Sequence, residues 1–360
     1  MTRYPRLMPT DPRLFRATVV RSVRTSPSFQ RVTIAGADLA DFEWSGHDHW
    51  FRLFLPPAAD VPLQLPAVSG RAWYRRYLEI PEADRPHCSN YTVADYRPAA
   101  GPVGAASGAH TGPAGAASGA PAELDIDVVL HWEASGEIAG RVAIWATTTR
   151  PGSEVALLDQ GPLFDPPADV RGVHLVADET GLPALRGILR SLDERMTGTA
   201  TIEVPLEGDI EPLEAPAGIR LRWYARGAGH GAGRSHPRAA VAAVPPVAVS
   251  PVVAAAVPPV DTVATHPVGA VATPPVGTAP APGPGRPAAT TVAAAPVAVM
   301  PGAAALAAVR GGLDLDPGDY AFIVGEASLA TEGRRALHRA GLPKSRITFS
   351  GYWKHAPAHS

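Results

Sequence analysis

The sequence predicts an N-terminal antiparallel β-barrel followed by a C-terminal α/β domain built on a parallel sheet. Two patterns carry that assignment. Over the first hundred residues, apolar and polar side chains alternate in short runs separated by turn residues, as half-buried strands require. From residue 171 onward, compact apolar strands alternate with segments of helical spacing, the order that lays crossover helices on a parallel sheet. Two low-complexity tracts interrupt these patterns without belonging to them, and the expected division is 1–165 for the barrel and 166–360 for the α/β domain.

The run "LFRATVVRSVRTSPSFQRVTIAG" reads as strand, turn, strand, with the turn at Thr25-Ser26-Pro27-Ser28. "HWFRLFLPP" is a strand stopped by Pro56-Pro57, and "NYTVADY" is another. Residues 100–121 carry GAASGA twice and read as a flexible loop, because they hold too little apolar surface to offset the entropy of ordering. "ELDIDVVLHW" is a strand ending at His131, "GRVAIWATT" a short helix and "SEVALLDQG" the strand after it. In the second half, "RGVHLVA", "TATIEVPLEG", "IRLRWYA", "DYAFIVG" and "RITFSGYW" are strands, whereas "DETGLPALRGILRSLDERM" and "EASLATEGRRALHRAGL" have helical spacing. The tract 228–302, with VPPV and PVG each repeated, reads as an extended, disordered Pro/Ala/Val-rich insertion. Its prolines remove backbone donors throughout, so it cannot supply a spanning helix of about 20 residues, and no membrane insertion is expected.

Composition narrows the function classes. Thirty-two Lys and Arg against 34 Asp and Glu leave a net charge of −2, without the basic excess and interleaved aromatics of a nucleic-acid surface. Cys88 is the only cysteine, which excludes an internal disulfide, a thiolate zinc cage and a cysteine-held iron–sulfur cluster within one chain. Neither a paired-histidine helix nor a carboxylate cluster of metal-ligand spacing occurs, so no resident metal is expected. The opening "MTRYPRLMPTDPRLFRATVV" lacks the apolar core of a signal peptide, so a cytoplasmic, monomeric protein is the expectation.

Four separated segments, "YLEIPEADRPHCSNYTVADY", "ELDIDVVLHW", "HLVADETGLPALRGILRSL" and "FIVGEAS" running through "GRRALHRAGLPKSRITFSGYWKHA", resemble the siderophore-interacting proteins in order and spacing. That family comprises FAD-dependent, NAD(P)H-using ferric-siderophore reductases. The resemblance implies a barrel for FAD, a sheet for NADPH or NADH, and electron transfer through flavin to a ferric siderophore, releasing Fe(II). Tyr91 and Thr92 fall on the family's flavin motif, where a tyrosine ring can pack on the isoalloxazine and the threonine can bond its N5 edge. Ser89, Asn90 and Val93 flank them. The family's phosphate-pairing arginine is here Ser89, and a further basic position is Ala94, so positive charge is missing where the flavin phosphates would lie.

The resemblance also implies cofactor contacts at His131, at Asp178, Glu179 and Thr180 after the strand "VHLVA", at Gly325 and Glu326 in "VGEAS", and at Trp353. Asp178-Glu179-Thr180 are equally the residue types that cap a helix start. Arg226 is a candidate for the 2′-phosphate of NADPH, or a plain surface arginine. For an anionic iron chelate the implied cations are Arg52, Arg141 and Lys354. Two rival readings stay open: a general NAD(P)H:flavin oxidoreductase of the same fold, and a diverged, non-catalytic binder of siderophore or partner.

Overall fold

The computed structural model describes residues 7, 9–58, 60–68, 70–99, 120–133, 135–227, 290–294 and 300–355. The first half runs β1 (Leu14–Ser26), β2 (Phe29–Ala35), β3 (Trp50–Leu55), helix α1 (Trp73–Glu79), β4 (His87–Arg97), β5 (Glu123–Val129), the two-residue strands β6 (His131–Trp132) and β7 (Ile138–Ala139), helix α2 (Arg141–Thr148) and β8 (Glu154–Gly161). Six strands close an antiparallel barrel in the order β1-β2-β5-β4-β3-β8, with β8 pairing back onto β1. Strict alternation is what permits closure. Phe15, Ala17 and Val19 of β1 turn inward while Arg16 and Thr18 face out. Val32, Ile34, Phe51, Leu53, Leu124 and Ile126 fill the interior, and α2 closes one end with Val142, Ala143 and Ala146. Each fully buried branched side chain contributes roughly 1.5–3 kcal/mol.

The second half holds β9 (Gly172–Ala177), α3 (Leu182–Ser191), β10 (Thr197–Val204), β11 (Gly218–Ala225), β12 (Thr290–Ala294), α4 (Ala303–Arg310), β13 (Tyr320–Glu326), α5 (Ala327–Arg339) and β14 (Ile347–Trp353). All neighbours are parallel, in the order β12-β11-β10-β9-β13-β14. β9 and β13 are buried along their whole length because both faces are covered. α3 packs on one face with Leu182, Leu185, Ile188 and Leu189. α4 and α5 cover the other with Ala305, Val309, Leu329 and Leu337. Connections leave β9 in one direction toward β10 and in the other toward β13, which makes the carboxyl ends of these two strands the switch point where open α/β sheets take ligands.

The fold class expected from sequence is present, with four local differences. Helix α3 stops at Ser191, because Leu192 turns extended and packs into the core. The strand through His131 breaks after Val129, and His131-Trp132 peels off to pair with β7. α1 was not anticipated. The tract 228–302 is not structureless throughout: Thr290–Ala294 forms β12 on the sheet edge and Met300-Pro301-Gly302 leads into α4. The rest of that tract, and the Gly/Ala/Ser loop up to residue 119, lie outside the described residues.

Polar ties bolt the halves together. Asp209, after β10, accepts from Ser26 Oγ at 2.6 Å and Ser28 N at 2.7 Å in the β1–β2 turn. Gly187 of α3 lies against the His47 carbonyl, where a Cβ would come within 1.9 Å; only glycine allows that approach. Asp48, fully buried before β3, accepts from Leu163 N and Phe164 N in the segment that leaves the barrel. Burial pushes its carboxyl up from an ordinary 3.8 to about 6, against the pull of those amides and His49. A raised folded-state value means that the stabilising contribution is complete below about 3.8 and lost as pH rises through about 6. The stability advantage of wild type over Asp48→Asn is therefore expected to shrink as pH rises from about 4 to about 7, read by urea unfolding across that range; a constant difference would refute this account.

Candidate functional site

A cleft of about 680 Å³ lies between the barrel and the carboxyl edge of the sheet. The barrel wall is β3 and β4, whose antiparallel pairing puts Trp50 opposite Thr92 and Arg52 opposite Asn90. Trp50, Arg52, Ser89, Asn90, Tyr91 and Thr92 all line it, joined by Gly140 and Arg141 at the start of α2. From the sheet side come Thr180 and Pro183 at the start of α3, and Ser350, Tyr352 and Trp353 from β14. His131 lines the cleft beside Trp353, with ring centroids 5.5 Å apart. α1 and the chain after it close one end with Tyr74, Tyr77, Arg85 and His87.

The barrel wall carries three cations, Arg52, Arg85 and Arg141, and its lining carboxylate, Asp127, is already paired with Arg31 and Arg186. Arg52 donates to Asn90 Oδ1 at 3.1 Å and sits over the rings of Trp50 and Trp73. Arg85 is held by the carbonyls of Leu78 and Ile80, and Arg141 by that of Pro57. Among the described residues none of the three has a carboxylate partner. The Ser89 hydroxyl and His87 Nε2 are 2.6 Å apart. Burial and the Arg141 charge push the His87 imidazole down to about 4, so at neutral pH it is uncharged. Burial raises the Cys88 thiol to about 11 and lifts the Tyr91 phenol as well; neither ionises near neutrality.

The sheet wall is organised differently. Asp178 and Glu179 follow β9 and are fully buried, without lining the cleft. Asp178 accepts from Thr180 N and Oγ1, Glu326 N and Trp353 Nε1. Glu179 and Glu203 share the guanidinium of Arg226, at 2.6 and 2.8 Å. Arg226 is thus engaged by two buried carboxylates rather than being a free surface charge. Glu326 caps α5 by accepting from Ser328 N and Leu329 N. Gly325 has φ +132°, and a Cβ there would meet the Asp178 carboxyl at 2.6 Å.

Of the residues singled out from sequence, the cleft gathers Arg52, Ser89, Asn90, Tyr91, Thr92, His131, Arg141, Thr180 and Trp353. Val93 points into the barrel core, Asp178, Glu179, Gly325 and Glu326 build the scaffold behind the sheet wall, and Lys354 is exposed outside the lining. Sequence reasoning passed over Trp50, Tyr74, Tyr77, Arg85 and His87; for the last four the signal was the aromatic and basic stretch that runs through α1 into β4. The donors Trp50 Nε1 and Arg52 Nε are buried without a partner, and the Tyr352 phenol, raised by burial, is held down in part by the Thr92 side chain. The N-terminus of α2 has no side-chain cap. Its first amides belong to residues that line the cleft, and with the cations of Arg52, Arg85 and Arg141 they suit a phosphate, while the Tyr91 and Trp353 rings suit a planar ring system, so the lining fits a flavin dinucleotide.

Two family models match the chain: "Siderophore-interacting FAD-binding domain" over residues 18–163 and "Siderophore-interacting protein" over residues 170–356. The ferric vibriobactin reductase ViuB of Vibrio cholerae serotype O1 is 28% identical over 228 residues, 62% of this chain and 67% of that protein. An NADPH-dependent ferric-chelate reductase of Escherichia coli is 29% identical over 228 residues, 62% of this chain and 76% of that one. Among solved structures, a siderophore utilization protein from T. fusca superposes with a TM-score of 0.60 at 21% identity, covering 98% of this chain and 96% of that one. The siderophore-interacting protein SipS from Aeromonas hydrophila gives 0.56 at 20%, covering 96% and 92%. At these identities the structural likeness is one of fold.

The cleft depends on Asp127 of β5, whose side chain, 2% exposed, binds Arg31 of β2 at 2.7 Å and Arg186 of α3 at 2.8 Å. Asp127→Asn leaves two arginines short of charge and is expected to cost about 3–5 kcal/mol in urea unfolding. Asp41→Asn, at a pair 57% and 72% exposed, should cost under about 1 kcal/mol; equal losses would mean that Asp127 is no more than a surface ion pair.

Proposed function

The chain belongs to the siderophore-interacting protein family, and from that premise we propose that it is an FAD-dependent oxidoreductase carrying electrons from NADPH to a ferric siderophore. One observation carries the reading: the flavin-motif residues Tyr91 and Thr92 and the carboxyl edge of a parallel sheet face each other across a single cleft. Bound FAD supplies the passage from a two-electron donor to a one-electron acceptor.

The chain's own residues hold and shield. The Tyr91 ring, neutral because it is buried, offers a face to a planar ring system, and the Thr92 hydroxyl offers a hydrogen bond at its edge. Arg52, Arg85 and Arg141, free of carboxylates, attract phosphate and the anionic chelate, and the open amides of α2 add to that field. Ser89 brings no charge and shares its hydroxyl with His87. On the sheet side, Thr180 and Pro183 form the floor at the switch point, where a nicotinamide nucleotide would lie. Trp353, its ring tilted against that of His131, adds an aromatic surface on the sheet side of the cleft. Iron enters as substrate, already chelated. Fe(II), with one charge fewer, is held less tightly by hard oxygen ligands and leaves.

The test is a visible spectrum of the purified full chain with and without added FAD, then anaerobic NADPH, then a ferric catecholate chelate. Wild type is expected to show bound flavin, bleached by NADPH and recoloured by the chelate. Bleaching without any response to ferric chelates would favour a general flavin reductase, and no flavin at any concentration would favour a binding protein. Ser89→Arg replaces a neutral hydrogen bond by a charged one and is expected to tighten FAD by about fivefold to tenfold; unchanged affinity would show that Arg85 and Arg141 already meet the phosphates.

A further inference from the structure

Asp178 is fully buried behind the sheet wall and receives more donors than a helix cap needs. Its Oδ1 accepts from Thr180 N at 2.9 Å and Thr180 Oγ1 at 2.6 Å. Its Oδ2 accepts from Glu326 N at 2.6 Å and Trp353 Nε1 at 3.1 Å. These donors arrive from the carboxyl ends of β9, β13 and β14, so one carboxylate joins three strand ends at the switch point. Three of the four bonds are local or backbone contacts that strand packing would explain. The fourth is not: it fixes the indole of a residue that lines the cleft. The backbone is shaped to admit the carboxyl, since Gly325 stands at φ +132° with no room for a Cβ against Asp178.

We infer that Asp178 is a positioning residue which, through its hydrogen bond to the Trp353 indole, sets the Trp353–His131 wall and thereby the cleft's affinity for FAD. The inference rests on the function proposed above. It also has a direction with pH. Burial, and then the Glu179 charge, push the Asp178 carboxyl up to about 7, against the pull of Thr180, Glu326 and Trp353. A protonated acid has fewer acceptor sites for the same four donors, and the 3.1 Å bond to Trp353 is the longest of them. Acidification through about 7 therefore releases the indole first. The other charged or titratable groups around the pair are Glu179 with its partner Arg226, Glu326 at the start of α5, the buried Tyr352 phenol, and His131 and His355 beside the Trp353 ring.

The experiment has one readout without ligand and one with it. The difference in emission between wild type and Trp353→Phe isolates one indole among seven, and it is followed from about pH 5.5 to 8.5 on the full chain. The Trp353 component is expected to titrate with a midpoint near 7, to persist in His131→Gln, and to lose its pH response in Asp178→Asn. A response unchanged in Asp178→Asn overturns the inference. With FAD as ligand, Asp178→Asn is expected to weaken binding about tenfold in the wild-type background and less than about twofold in Trp353→Phe; equal losses would make Asp178 a strand-packing residue only. Should Asp178→Asn fail to fold, Trp353→Phe alone decides: FAD affinity falls with acidification in wild type and must not do so in the variant. If wild type takes up no FAD, the proposed function fails, while the ligand-free emission still decides whether Asp178 holds the indole.

Discussion

The Asp127 carboxylate is shared between an arginine of the barrel, which holds both of its oxygens, and an arginine of the sheet domain, and that shared ion pair ties the two walls of the cleft together. Arg31 comes from β2 and Arg186 from α3, which also binds Glu211. A buried ion pair gains little over a well-packed apolar contact, but its geometry is demanding and removing one partner is costly. The effect is to fix orientation. Asp209 repeats the device from the sheet side onto the β1–β2 turn, and Gly187 lets α3 approach the His47 carbonyl closely enough for the ion pairs to close. The barrel and the sheet domain thereby acquire one relative position, and the walls of the cleft acquire a defined spacing.

Charge is then sorted across that spacing. At the carboxyl ends of the sheet strands the buried acids Glu179, Glu203, Asp178 and Glu326 are answered from within the domain: Glu179 and Glu203 by Arg226, Asp178 by four donors, Glu326 by the first amides of α5. On the barrel side Arg52, Arg85 and Arg141 are steered by carbonyls, an amide and aromatic faces, none of which cancels their charge. An anion entering the cleft is drawn to the barrel wall and meets no exposed carboxylate of the β9 and β13 loops. This partition explains how the site can lack an arginine at Ser89 and remain electropositive. The cations sit on neighbouring elements rather than on β4.

Elements that announce themselves by period were legible in the sequence: the alternation of β1, the apolar runs of β9 and β13, and the amphipathic α3 and α5. α1 was not, because seven residues between prolines give too few turns for a period to register, and α4 was not, because its Ala-rich sequence continues the composition of the tract before it. In the cleft, residues whose place follows from lying along one strand were legible, as at Ser89 to Thr92 of β4. Residues whose place depends on a distant partner were not. Asp178 and Glu179 look alike in sequence, two acids at a helix start; only folding shows that one answers Arg226, 47 positions away, while the other answers Trp353, 175 positions away. Arg226 reads as a surface cation for the same reason.

The position of the long Pro/Ala/Val tract follows from the same buried acids. Glu203, at the carboxyl end of β10, binds Arg226, almost the last described residue before the tract, and accepts from Gly302, Ala304 and Ala305 just after it. One fully buried carboxylate thus holds both ends of the excursion, and it also serves as the acceptor for the open amides of α4. Loop closure entropy grows only logarithmically, about 0.6 kcal/mol per doubling of length, so once the two ends are pinned the number of residues between them matters little to stability. Pinning by a charge rather than by packing also keeps Arg226 against Glu179, the neighbour of Asp178. The anchor of the tract and the scaffold behind the cleft are therefore one network, which places the insertion where its length can vary while the geometry of the switch point is kept.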